Sequence, residues 1–189
     1  VSALTGATTM GVDSSASERY SVALGNTNAS LAQWSATLGL SNLTNGEYSV
    51  AIGNSCTATG DGATVLGESN TAHNNGAVVM GKDAISSNRF NVAIGLGVTA
   101  TGQQATVIGN YASAAGTGSF ARGGTGANAQ AFGSVVFGKY NILAGDTFSY
   151  VSTDPLFVIG NGADNLNRAN IFSIVKNGNT TIGPGTDEG

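Results

Sequence analysis

A glycine preceded by an apolar residue returns every 14 residues along most of this chain, and that stride constrains the fold more than any other feature. Met10-Gly11, Leu24-Gly25, Leu38-Gly39, Ile52-Gly53, Leu66-Gly67, Met80-Gly81, Ile94-Gly95 and Ile108-Gly109 keep it, and Arg122-Gly123 keeps it without the apolar residue. Eight complete units of 14 residues separate Gly11 from Gly123. Phe137-Gly138 then follows after 15 residues and Ile159-Gly160 after 22. So short a period, held over so many copies, is the signature of stacked repeats, in which each unit buries its apolar face against its neighbours.

With the glycine as position 0, the columns of the repeat become readable. Position −2 is small or β-branched: Ala23, Thr37, Ala51, Val65, Val79, Ala93, Val107 and Ala121. Positions −3 and −1 carry the larger apolar groups, among them Val22, Val50, Val78, Val92 and Phe120, and Leu24, Leu38, Ile52, Leu66, Met80, Ile94 and Ile108. Strand alternation puts the two large columns on one face and the small column on the other. Glycine and β-branched residues at every turn exclude a helix. A second, shorter strand is expected around positions +3 and +5, with corners at the glycine and at +7, where Gly46, Gly60, Gly102, Gly116, Asn74 and Asn88 tolerate a positive φ. The predicted fold is all-β: a parallel β-roll, or solenoid, of 14-residue repeats. In this reading Val50 and Ile52 fill the roll, Gly53 turns the corner, and Ala51 stays small toward a neighbouring copy of the chain.

Residues 1–138 are expected to form the roll, 139–183 an irregular repeat and β-hairpin cap, and 184–189 a tail or linker. Within the second segment, Pro155 to Gly160 restores the repeat phrase. Ile171 to Val175 reads as a strand, and Lys176-Asn177-Gly178-Asn179 reads as a hairpin loop.

Composition narrows function mainly by exclusion. Charged residues are 10% of the chain, against about 25% in an ordinary globular protein. The seven Lys and Arg are scattered, so no basic stripe exists for nucleic acid. No apolar run approaches the ~18 residues needed to span a bilayer, so no membrane segment is expected. The start at Val1 reads as a processed end, with any targeting signal or anchor outside this sequence. Cys56 is alone, which forbids an intrachain disulfide, and it reads as buried filler.

No catalytic, cofactor-binding or metal-binding residue can be named, and no cofactor is expected. His73 is the only histidine and reads as a solvated surface group. The pairs Asp61 and Glu68, and Asp146 and Asp154, lack a spacing that would fix two carboxylates on a substrate. Gly123-Gly124-Thr125-Gly126 lacks the following Lys and helix of a phosphate loop and reads as a turn insertion. The Thr-X-Thr pairs, Thr57 with Thr59 and Thr99 with Thr101, are too few and too separated for an ice-binding face. Asn28, Asn42 and Asn179 head glycosylation-type triplets that chance explains. One column stands out: position +9 holds Tyr20, Trp34, Tyr48 and Phe90. These aromatics could contact a ligand such as a sugar ring or a receptor. Packing between copies of the chain is the favoured alternative, because exposed aromatic ladders are costly.

The phrase Ser49-Val50-Ala51-Ile52-Gly53, with Ala58 and Gly60 following, resembles the head repeats of YadA-like trimeric autotransporter adhesins over residues 7 to about 138. The resemblance implies a left-handed roll, a parallel homotrimer, and an extracellular place on a bacterial surface fibre. It also implies a host or cell-surface receptor, glycan or matrix protein, as partner. Residues 155–183 resemble connectors of phage tail-fibre and related bacterial fibre proteins, which implies a virion tail as the alternative setting. Three functional classes follow: a non-enzymatic fibre head serving as spacer and attachment module, a tail-fibre or injection-apparatus segment, and a glycan-active solenoid enzyme. The last is disfavoured because no acid/base pair can be named.

Overall fold

A computed structural model describes residues 6–183, which divide into two compact units between Phe90 and Asn91. In the first unit, strands alternate long and short: β1 (Thr8–Val12), β2 (Ser15–Ala16), β3 (Val22–Asn26), β4 (Ala29–Ser30), β5 (Ala36–Leu40), β6 (Leu43–Thr44), β7 (Val50–Asn54), β8 (Thr57–Ala58), β9 (Thr64–Glu68), β10 (Thr71–Ala72), β11 (Val78–Lys82) and β12 (Ile85–Ser86). The five-residue strands form one parallel sheet and the two-residue strands a second. Each residue pairs with its equivalent one repeat on, as Val50 with Thr64 and Thr57 with Thr71.

The second unit continues the pattern in β13 (Val92–Leu96), β14 (Thr99–Ala100), β15 (Thr106–Asn110), β16 (Ser113–Ala114), β17 (Phe120–Gly123), β18 (Asn128–Ala129) and β19 (Val135–Lys139). The slips in stride are absorbed without loss of register: Phe120 pairs with Val135, and Val135 with Phe157 of β20 (Pro155–Asn161). Strand direction then reverses. β21 (Asn170–Val175) runs antiparallel to β20, and β22 (Thr180–Ile182) antiparallel to β21. The protein is thus an all-β parallel solenoid of 14-residue repeats with a C-terminal β cap. The proposed 184–189 tail lies outside the described residues.

The roll is inside-out relative to the expectation from residue size. The −2 column is the interior: Ala23, Ala51, Val65, Val79, Ala93, Val107 and Ala121 are fully buried, and Thr37 is 1% exposed. Val50 and Ile52, expected to fill the roll, lie on the outer face and are only half-buried, while Leu38 is 45% exposed. The interior is completed by other small groups, such as Ser49, Cys56 and Ala58, all buried. Corners this short hold the two sheets closer than large side chains allow, so volume rather than hydrophobicity selects the inward column.

Two columns of the repeat seal this interior. Asn28, Asn42 and Asn70, at +3, are buried, and each side-chain amide donates to two carbonyls, for Asn28 those of Leu24 and Gly39 at 2.7 Å. Their Oδ1 atoms accept the backbone N–H of the +3 residue one repeat on, as Asn42 Oδ1 does from Cys56 at 3.0 Å. The glycine column is enforced twice over. From Gly11 to Gly109 its φ lies between +121° and +151°, and a Cβ on Gly53 would overlap the carbonyl oxygen of Gly67.

Position +7 needs correcting. Gly46, Gly60, Gly102 and Gly116 do not take a positive φ. They are glycine because a Cβ would strike the backbone one repeat on, as at Gly46 against Gly60. The left-handed residues fall at +2 and +9 instead.

Candidate functional site

Position +9 is the corner that leads into each long strand. Its N–H donates to the carbonyl of the +8 residue one repeat earlier: Trp34 to Arg19 at 3.2 Å, Tyr48 to Gln33 at 3.1 Å, Gly62 to Glu47 at 2.8 Å, Gly76 to Asp61 at 2.8 Å and Phe90 to Asn75 at 3.0 Å. This holds the residue at a φ between +53° and +66° in Tyr20, Trp34, Tyr48, Gly62, Gly76 and Phe90 alike. Glycine adopts that conformation freely. A bulky side chain there is a backbone outlier, of the kind that concentrates at functional sites.

The structure brings three of the four aromatics together. Tyr20 stacks on Trp34 with ring centroids 6.0 Å apart, and Trp34 on Tyr48 at 4.9 Å and an interplanar angle of 3°. All three remain between 43% and 58% exposed. Each ring reaches back over the preceding repeat: Tyr20 lies over Gly6, and Phe90 over Gly76, whose Cβ position is 2.6 Å from the Phe90 Cδ1. Phe90 stands apart from the trio, because Gly62 and Gly76 occupy the two corners between Tyr48 and Phe90. Beside the ladder lies a shallow depression of about 250 Å³, lined by Glu18, Leu31, Ala32, Gln33, Asn45 and Glu47.

Two other aromatic arrangements escaped the sequence reading. Tyr111 and Tyr140 occupy the left-handed +2 column, over Gly97 and Gly126. The Arg168 guanidinium lies 5.9 Å from the Tyr140 ring centroid and donates to the carbonyls of Gly126 and Asn141. On the outer face of the second unit, Phe120, Phe137, Phe157 and Phe172 form a tilted ladder with centroids 5.8–5.9 Å apart. Tyr111 stands on the regular stride, two residues after Gly109; for Tyr140 and the phenylalanines after Gly123 the signal was register, visible only once the 15- and 22-residue steps are aligned.

The remaining candidates have structural occupations. His73 is exposed. Cys56 is buried, and burial pushes its thiol up from the ordinary value, which makes it a poor nucleophile. Asp61 accepts the N–H of Glu47 at 3.0 Å, while Glu68 pairs on the surface with Lys82 at 2.8 Å, so the two carboxylates serve different partners. Asp146 Oδ1 accepts the N–H groups of Phe148 and Ser149, which hold its carboxyl below the ordinary value, and its own N–H donates to Asp154. Asp154 in turn lies 3.9 Å from the Lys176 ammonium, which is buried against the rings of Phe132 and Tyr150. That cluster fastens the β21–β22 hairpin to the loop before β20. Gly124 to Gly126 form the turn expected of them. Asn28 and Asn42 spend their amides inside the roll and offer nothing to glycosylation. Among the described residues, no three His, Cys, Asp or Glu side chains converge on a metal position, and no helix is long and apolar enough to cross a membrane.

Comparison with known families agrees with the geometry. Residues 5–28, 38–55, 58–84 and 100–123 match the family described as YadA head domain repeat. The segment from residue 5 to 123 is built of YadA-like head repeats and belongs to that family. Such domains are characteristic of extracellular adhesins on bacterial surfaces. No curated protein matches the sequence.

Proposed function

We propose that this chain is a non-enzymatic fibre head that assembles as a parallel homotrimer of left-handed rolls and serves as spacer and attachment module on a bacterial surface. The observation that carries the reading is the reversed roll. Each unit leaves a regular apolar column on the outside of its long-strand sheet. In the first unit this includes Leu38 and Met80, at 45% and 39% exposure, with half-buried Val50 and Ile52. In the second it includes Ile94, Ile108 and the Phe120–Phe172 ladder. A regular apolar sheet face is costly in water and is the kind of surface that self-association covers.

The aromatic corner is the attachment element in this reading. Its rings cover much of one another's faces, which weakens the case for burial between copies and leaves their edges free for a receptor. The antiparallel turn at β20–β22 supports a second setting, a tail-fibre segment, since it fits the connector-like residues 155–183.

Light scattering tests the assembly. The 18.7 kDa chain should run as a trimer, and Ile52→Glu, which places a charge on the outer face, should yield monomers with an unchanged β spectrum. A monomeric wild type would sink the reading.

A further inference from the structure

The gap in the aromatic ladder has the form of a binding slot. Tyr48 leans back on Trp34, and the next corner is Gly62, whose Cβ position has no atom within 4 Å. The far wall is Phe90, whose ring lies over Gly76. Tyr48 therefore ends the stack with one face uncovered, and Phe90 faces it three repeats on. Three strand spacings of 4.7–4.9 Å put the two rings about 14 Å apart. Neighbouring rings in the ladder stand 4.9 and 6.0 Å apart, so the slot has room for at least one more flat ring.

The chemistry beside the slot is polar and planar. Glu47, Asp61, Asn75 and Arg89 occupy the +8 positions next to Tyr48, Gly62, Gly76 and Phe90, and all four are exposed. Asp61 already orients its carboxylate toward the Glu47 N–H at 3.0 Å and the Asn75 amide at 3.4 Å. An open aromatic face beside a carboxylate and an amide held by hydrogen bonds matches a pyranose, whose C–H face stacks on a ring while its rim hydroxyls donate and accept. The two carboxylates nearest Tyr48 disfavour an anionic sugar at that face.

We propose that the Tyr48–Gly62–Gly76–Phe90 slot binds a neutral hexopyranose, with Tyr48 as the stacking platform and Asp61 and Asn75 as hydroxyl partners. The proposal rests on the attachment reading above and gives its ligand a chemical class.

The test uses the chain as it assembles and follows saturation-transfer NMR with methyl glycosides of galactose, mannose and N-acetylglucosamine. N-acetylneuraminic acid serves as the acidic comparison. At least one neutral glycoside should bind and the acidic sugar should not. Tyr48→Ala should weaken binding at least ~10-fold. The sharper variant fills both empty corners, Gly62→Tyr with Gly76→Tyr: Tyr20 and Tyr48 already hold tyrosine at this backbone conformation, so the protein should fold while the ladder runs unbroken from Tyr20 to Phe90 and excludes the sugar. No binding of any neutral glycoside by the wild type would overturn the proposal, as would binding that survives both Tyr48→Ala and the double variant or increases in the double variant. Light scattering on the same samples keeps the two readings apart. A trimer without sugar binding refutes only the slot, and a sugar-binding monomer refutes only the assembly.

Discussion

At Ala51 the roll has no room. The side chain is fully buried, paired with Thr37 and Val65 in the adjoining strands. Enlarging it to leucine should cost about 1–3 kcal/mol by overpacking, read as a lower urea midpoint. Ala51→Glu should fail to fold, because it buries an unpaired charge. A soluble Ala51→Glu protein with a wild-type β spectrum would contradict the assignment of this column to the interior. Residue size alone pointed the other way, since Val50 and Ile52 are the better hydrophobes. The inward column is decided by the distance between sheets, which no single residue encodes. The aromatic column at +9 was legible as a column. Its left-handed backbone was not, because Tyr, Trp and Phe carry none of the glycine signal by which such positions are usually read.

Among the elements, the cap differs from the roll in what holds it. β20 is entered and left by loops in which aspartates accept backbone and amide N–H groups: Asp146, before it, from Phe148 and Ser149, and Asp164, after it, from the Asn167 side chain and from Leu166 and Asn167. Both carboxyls are held below their ordinary value, Asp146 chiefly by the Phe148 N–H and Asp164 chiefly by the Asn167 amide. A depressed carboxyl stabilises above its unfolded pKa of about 3.9, and the benefit is lost as pH falls through the lower folded value. On acidification below about pH 4, hydrogen exchange should therefore rise first at residues 146–149 and 164–167, with the strands β3 to β11 still protected. Equal loss of protection in both regions would count against these turns as the acid-sensitive part. The hairpin itself was readable from Lys176-Asn177-Gly178-Asn179. The Lys176, Phe132 and Tyr150 cluster that fastens it was not, because its members lie far apart in sequence and meet only through the 22-residue step.

For the whole molecule, the repeat makes length adjustable. Because each long strand pairs only with its equivalents one repeat away, removing residues 54–67 joins Gly53 to Glu68 and restores every register, from Gly53–Gly67 to Gly53–Gly81. The shortened chain should fold with the same spectrum per residue, as expected of a one-dimensional stack. Removing residues 54–60 alone should not, since it sets long strands against short ones. Melting curves of the two deletions distinguish these outcomes.

The left-handed corner at +9 carries a further consequence. It accepts either glycine or an aromatic ring and keeps the hydrogen bond that holds it, at 2.8 Å for Gly62 and Gly76 and 3.0–3.2 Å for Trp34, Tyr48 and Phe90. In the first unit the corners from Tyr20 to Phe90 therefore form a short string of filled and empty places: three filled, two empty, one filled. A lineage can rewrite that string one codon at a time while the roll beneath it stays fixed. In the attachment reading proposed above, recognition can drift between targets at a backbone cost confined to the corner being rewritten.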